Sequence, residues 1–130
     1  MNAQEIFDTV ATHLFRQGHR ALLEDGISCA YRAPNGDMCA VGVLIPNELY
    51  DPCFEGTTVH MIKILLPQWM RANEDLLTCL QVCHDNSSWV EEDIKGELIA
   101  IAKNYGLDYG VLSGLQFVEV DEEEEETGTF

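Results

Sequence analysis

The sequence predicts a single α+β domain, with about four helices packed on a β-hairpin, spanning residues 1–118 and followed by an acidic tail over 119–130. Three observations predict it. Apolar residues recur at helical spacing between capping residues near the start of the chain and over residues 73–106. Between them, alternating apolar stretches flank Pro34-Asn35-Gly36, the pattern of two strands and a turn. From Glu119 onward the composition changes to a run of carboxylates. At 130 residues, 46% hydrophobic and 23% charged, the chain is long and apolar enough for one core and unlike a disordered segment.

The first helix is expected over Ala3–Gln17. Asn2 can cap it, Glu5 stands where a capping box needs a carboxylate, and Gly18 can end it. Ile6, Val10 and Leu14 form its stripe, widened by Phe7, Ala11 and Phe15. Ile27–Ala33 and Met38–Leu44 then read as a hairpin. A two-residue Asn35-Gly36 turn would place Pro34, which has no N–H, at a hydrogen-bonded position. A three-residue turn with Pro34 at its first corner avoids this and sets Ala33 opposite Asp37 and Tyr31 opposite Cys39. A short turn opens at Pro46. A second helix covers Val59–Leu66, capped by Thr57 or Thr58. A third runs from about Asn73 to His84. A fourth is capped by Ser88, with Glu91 completing a box, and is closed by Gly106. Leu115–Val120 alternates and offers a third, C-terminal strand.

Charge excludes several functions. The formal net charge is −16. Glu119, Asp121 and Glu122–Glu126 supply seven of the 23 acids and none of the seven Lys and Arg, which leaves −9 on the body. Such a molecule repels nucleic acid and anionic membrane and attracts basic protein surfaces. Direct nucleic-acid binding and membrane insertion are therefore not expected. The cysteines, Cys29, Cys39, Cys53, Cys79 and Cys83, are odd in number, and Met1-Asn2-Ala3-Gln4-Glu5 has neither a basic nor an apolar leader region. Reduced thiols in the cytoplasm are the expectation.

Cys39, in Gly36-Asp37-Met38-Cys39-Ala40, is the candidate nucleophile, with His84 or His60 as its base. A thiol nucleophile needs a cation, a helix N-terminus or a histidine to lower its pKa, and the three-residue turn instead points Cys39 into the core. Cys79 and Cys83 share a helix face, but His84 lies roughly 100° away from them, so core thiols are the simpler reading than a metal site. Asp85 could orient the His84 ring in a Cys-His-Asp arrangement, yet adjacent residues seldom do so, and a helix-ending histidine is the plainer account. No phosphate loop, dinucleotide fingerprint or zinc-protease helix occurs, so no cofactor is expected. The acidic run offers either solubility or a partner-binding element made of Glu119, Asp121, Glu122, Glu123, Glu124, Glu125 and Glu126. An extended chain advances ~3.4 Å per residue, close to the ~3.4 Å between phosphates of one DNA strand. Consecutive glutamates thus carry charge at nucleic-acid density.

The run from Tyr31 to Pro52, with Arg32, Pro34, Gly36, Cys39-Ala40-Val41-Gly42, Leu44-Ile45-Pro46, Glu48 and Tyr50, resembles a recurrent pattern in small phage and prophage proteins. Leu80-Gln81-Val82-Cys83-His84-Asp85, Trp89 and Tyr105-Gly106-Leu107 are similar to the same group. The resemblance covers most of residues 5–107 and leaves the glutamate run outside. No activity is established for that group, so it assigns no residue a role. It implies a phage or mobile-element origin, where small acidic proteins often bind host factors, including restriction and CRISPR machinery.

The expected function is therefore a non-enzymatic protein that binds and inhibits a host factor, such as a nucleic-acid-handling defence enzyme, by steric and electrostatic occupation of a basic surface. The alternatives are a small cysteine-dependent enzyme built on Cys39 and a structural or assembly module whose tail aids solubility.

Overall fold

A computed structural model describes residues 1–117. Among them are five α-helices: α1 (Ala3–Gln17), α2 (Val59–Ile62), α3 (Gln68–Arg71), α4 (Glu74–Asn86) and α5 (Glu91–Asn104), with 3₁₀ turns at Pro52–Phe54, Lys63–Leu65 and Gly110–Gly114. The acidic tail lies outside the described residues.

Local chemistry accounts for the long helices. At α1, the Asn2 side chain accepts the Glu5 N–H while Glu5 accepts the Asn2 N–H, and Gly18 closes the helix in a left-handed conformation. Its stripe of Ile6, Phe7, Val10, Ala11, Leu14 and Phe15 is fully buried. Helix α4 packs Leu76, Leu77 and Leu80 against it, and α5 packs Ile94, Leu98 and Ala102. At the end of α5, left-handed Gly106 lets Leu107 N–H reach back to the Ala102 carbonyl, a Schellman closure.

The α+β expectation is overturned. No strand and no sheet form among the described residues, and the fold is helical. The three-residue turn does close, with Ala33 N–H donating to Asp37 O at 2.8 Å and Cys39 N–H to Tyr31 O at 3.2 Å. The pairing stops at one isolated bridge, Arg32 to Met38, and Cys29 bridges Leu22 rather than the Met38–Leu44 stretch. Two physical reasons are visible. The Tyr31 and Arg32 N–H groups are both taken by the carboxylate of Glu55, at 2.9 and 3.1 Å, so a side chain does the work of a neighbouring strand. After Cys39 the chain curls, with Val43 N–H bonded to Cys39 O and Leu44 N–H to Val41 O. Gly42 permits this curl by packing directly on the Tyr31 backbone; a Cβ there would sit 1.8 Å from the Tyr31 carbonyl oxygen.

Side chains from the helices then pin this irregular stretch. Met38 N–H donates to Gln17 Oε1, Met38 O bonds His13 Nε2 at 2.7 Å, and Val41 N–H donates to Gln81 Oε1. Arg32 bonds the Ile45 carbonyl and lies over the Tyr50 ring at 4.9 Å.

Two further expectations change. Ser88 does not cap α5: the backbone of Trp89 is left-handed (φ 58°), so the helix starts at Glu91, and the Ser88 hydroxyl bonds the Asp93 carboxylate. The third strand is absent over residues 115–117, where Phe117 N–H donates to Glu91 and its ring meets Phe15 at 5.1 Å; residues 118–120 of that segment lie outside the described residues. No helix among the described residues is long and apolar enough to cross a membrane.

The Gly42 contact gives a sharp test. Gly42→Ala should destabilise the fold by at least the ~1–3 kcal/mol of ordinary overpacking, because the obstacle is main chain and cannot rotate away. Urea unfolding measures it, and a wild-type midpoint would contradict the close approach.

Candidate functional site

Helix α4 presents Thr78, Gln81, Val82 and Asp85 at i, i+3, i+4 and i+7, one face of a helix. That face forms a wall of a cleft of about 490 Å³, whose other walls are Cys29–Tyr31 and residues 56–60. At one side of this cleft, Cys29, His84 and Asp85 come together, with their ligand-capable atoms all within 4.8 Å of one another.

The hydrogen bonds define what this trio can do. Ala21 N–H donates to His84 Nε2 at 3.0 Å. A main-chain amide can only donate, so Nε2 holds a lone pair and the proton sits on Nδ1. Nδ1 then donates to Asp85 Oδ1 at 2.7 Å. Contrary to the helix-ending reading, the adjacent aspartate does orient this ring. The ring is fully buried, and neither nitrogen is free to take a proton from a thiol. The same bonds oppose a metal: an ion on Nδ1 would move the ring proton to Nε2, where it would confront the Ala21 N–H. The residues thus do not fit a Cys-His-Asp metal centre.

Asp85 is held as a carboxylate. Burial alone pushes it up, but hydrogen bonds from His84, Cys29 and Gln81 outweigh burial and keep it below the usual aspartate range. The thiols go the other way. Burial, with the Asp85 charge beside it, raises Cys29 to about 11. Burial raises Cys39 and Cys83 to about 12, and the Asp51 carboxylate raises exposed Cys53.

Among the predicted site residues, Cys39 is fully buried, and its sulfur accepts the Gly42 N–H at 3.3 Å as part of the turn. His60 is exposed and bonded to Glu74 at 2.8 Å. His84 and Asp85 are joined, but with Cys29 as the neighbouring thiol. Sequence reading missed Cys29 because it stands 55 positions from His84 and the joining contact, Ala21 to His84, is long-range. The partner-binding set Glu119, Asp121 and Glu122–Glu126 lies outside the described residues.

Removing the ring tests its structural role. His84→Leu strands the fully buried Ala21 N–H and removes a bond to Asp85, so a loss of about 3 kcal/mol is expected in urea unfolding. Asp85→Asn should cost less, since an acceptor oxygen remains. The folded pKa of Asp85 lies below its ordinary 3.8, so its stabilisation is present above that value and drains as pH falls through the folded value. Asp85→Asn should therefore flatten the stability–pH curve only below about pH 4; an unchanged acid limb would refute the assignment.

Comparisons with known proteins find no matching family model, no similar curated protein and no similar solved structure.

Proposed function

We propose that this is a non-enzymatic interaction protein of phage or mobile-element origin that binds and inhibits a host factor bearing a basic surface. Restriction and CRISPR enzymes, which grip nucleic acid with such surfaces, are the target class. The observation that carries the reading is the charge: −16 in total, of which −9 belongs to the body apart from the tail. The described surface agrees in sign. Glu5, Glu24, Asp25, Glu48, Asp51, Asp75, Glu92, Asp93 and Asp108 are exposed, against Arg16, Arg71 and Lys103. Potential of one sign steers association and weakens steeply with salt.

The chemistry of the thiols favours binding over catalysis. A nucleophilic cysteine needs its thiolate form stabilised, and Cys29, Cys39, Cys53 and Cys83 are all pushed the opposite way. Cys39 should accordingly stay unmodified by iodoacetamide at neutral pH until the protein is unfolded. Rapid labelling of Cys39 in the native protein, followed by mass spectrometry, would restore the cysteine-enzyme alternative.

Host-lysate capture at low and moderate salt tests the binding reading. A partner should be retained at low salt and released at moderate salt. With that partner in hand, deleting residues 121–126 should slow association several-fold and lower its salt dependence. Unchanged kinetics would remove the tail from the mechanism, and salt-independent capture would remove the electrostatic reading altogether.

A further inference from the structure

The cleft along α4 has walls of one character and a single charged end. Ala30, Tyr31, Val59 and Val82 supply apolar surface. Its polar groups are almost all engaged. Tyr31 OH donates to Thr57 O, the Thr57 hydroxyl to Phe54 O, and the Thr58 hydroxyl accepts Met61 N–H. Gln81 is committed at both ends, accepting from Val41 N–H and donating to Asp85 Oδ1. His60 is turned to Glu74, which Lys63 also meets at 3.1 Å.

Asp85 differs. Its Oδ1 receives the bonds from His84 and Gln81 and the Cys29 thiol also lies against the carboxylate, while Oδ2 receives no N–H or O–H bond among the described residues. The side chain keeps 35% of its surface accessible. Arg20 directs its donors to the main-chain carbonyls of Asp85 and Ser87 rather than to the carboxylate. A half-buried anion with one oxygen that meets no donor stronger than a thiol, at the end of an apolar trough, suits a cation on an aliphatic stem. Guanidinium suits it better than ammonium, because it is more weakly hydrated and tolerates a partly dry site. On the cleft wall, Val82 is 50% exposed and offers an accessible apolar contact beside the anchor.

We propose that this cleft receives an arginine side chain of the basic partner, its stem along Val59 and Val82 and its guanidinium on Asp85 Oδ2. This rests on the binding reading above and adds to it a defined anchor point, separate from the tail.

The test needs no partner. The ¹⁵N-labelled full chain is titrated with N-acetyl-arginine methylamide and, in parallel, with its neutral citrulline analogue, each followed by amide shifts. The arginine probe should produce saturable shifts at Ala30, Thr58, Thr78 and Val82, with citrulline at least about tenfold weaker, the value of one charge-assisted hydrogen bond. Asp85→Asn should abolish the difference between the probes. Val82→Trp, which fills the trough without touching the bonds of Asp85, should abolish the shifts themselves and serves if Asp85→Asn does not fold. Equal binding of the two probes overturns the proposal. So do non-saturating shifts spread over Glu24, Glu48 and Glu92, which mark counterion accumulation, and so does binding that survives Val82→Trp. Salt-sensitive capture of a partner is a separate readout, so either result can fail while the other stands.

Discussion

The imidazole of His84 ties together three parts of the chain that no regular structure connects. Its Nε2 accepts from Ala21 in the stretch after α1, its Nδ1 donates to Asp85 at the end of α4, and the main-chain carbonyl of His84 accepts the Trp89 indole N–H at 3.1 Å. The Trp89 ring stands edge-on to it, 5.7 Å between centroids. Each bond contributes only about 0.5–1.5 kcal/mol when made, but losing a buried partner costs more than that gain. The left-handed backbone of Trp89, a conformation that bulky residues rarely adopt, is held by this arrangement. So is the direction in which α5 leaves α4.

The need for such a post follows from the chain between α1 and α2. Residues 18–51 contain no helix and no strand, only two isolated bridges. Long irregular segments inside a compact domain are uncommon, because their backbone polar groups still require partners. Here the partners are side chains: Glu55 for Tyr31 and Arg32, Gln81 for Val41, Gln17 and His13 for Met38, His84 for Ala21. The segment Cys39-Ala40-Val41 is buried on all sides, so Gly42 and Cys39 have a packing role that needs no catalysis to explain it.

This explains what could be read from the sequence. Helix α1 was legible to the residue, because its capping box, stripe and Gly18 are local signals. The close of α5 at Gly106 was legible for the same reason. The hairpin was not. Alternation from Ile27 to Leu44 implied one wet face and one dry face, but Ala30, Tyr31 and Ala33 are buried in succession around half-buried Arg32, and Ile27 is 82% exposed. The acceptor that replaces the second strand, Glu55, is a side chain more than 20 positions away, and no period-two rule can see it. At the candidate site, the His84–Asp85 pair was visible as neighbours, whereas Cys29 and the cleft depend on how the loop folds back onto α4.

Charge links the site to the proposed mode of action. Negative potential favours protonated thiols, since a thiolate adds a like charge. Asp85 acts in this way on Cys29, Glu97 on Cys83 and Asp51 on Cys53. An acidic surface suited to a basic partner therefore works against cysteine nucleophilicity in the same molecule. The converse holds at Asp85. There the local hydrogen bonds overcome burial, and they keep one carboxylate charged inside an apolar trough. Holding an anion there costs desolvation unless something compensates it. In the free protein, water at the cleft mouth can do so; in a complex, a cation can do it better, because the partner's surface excludes that water.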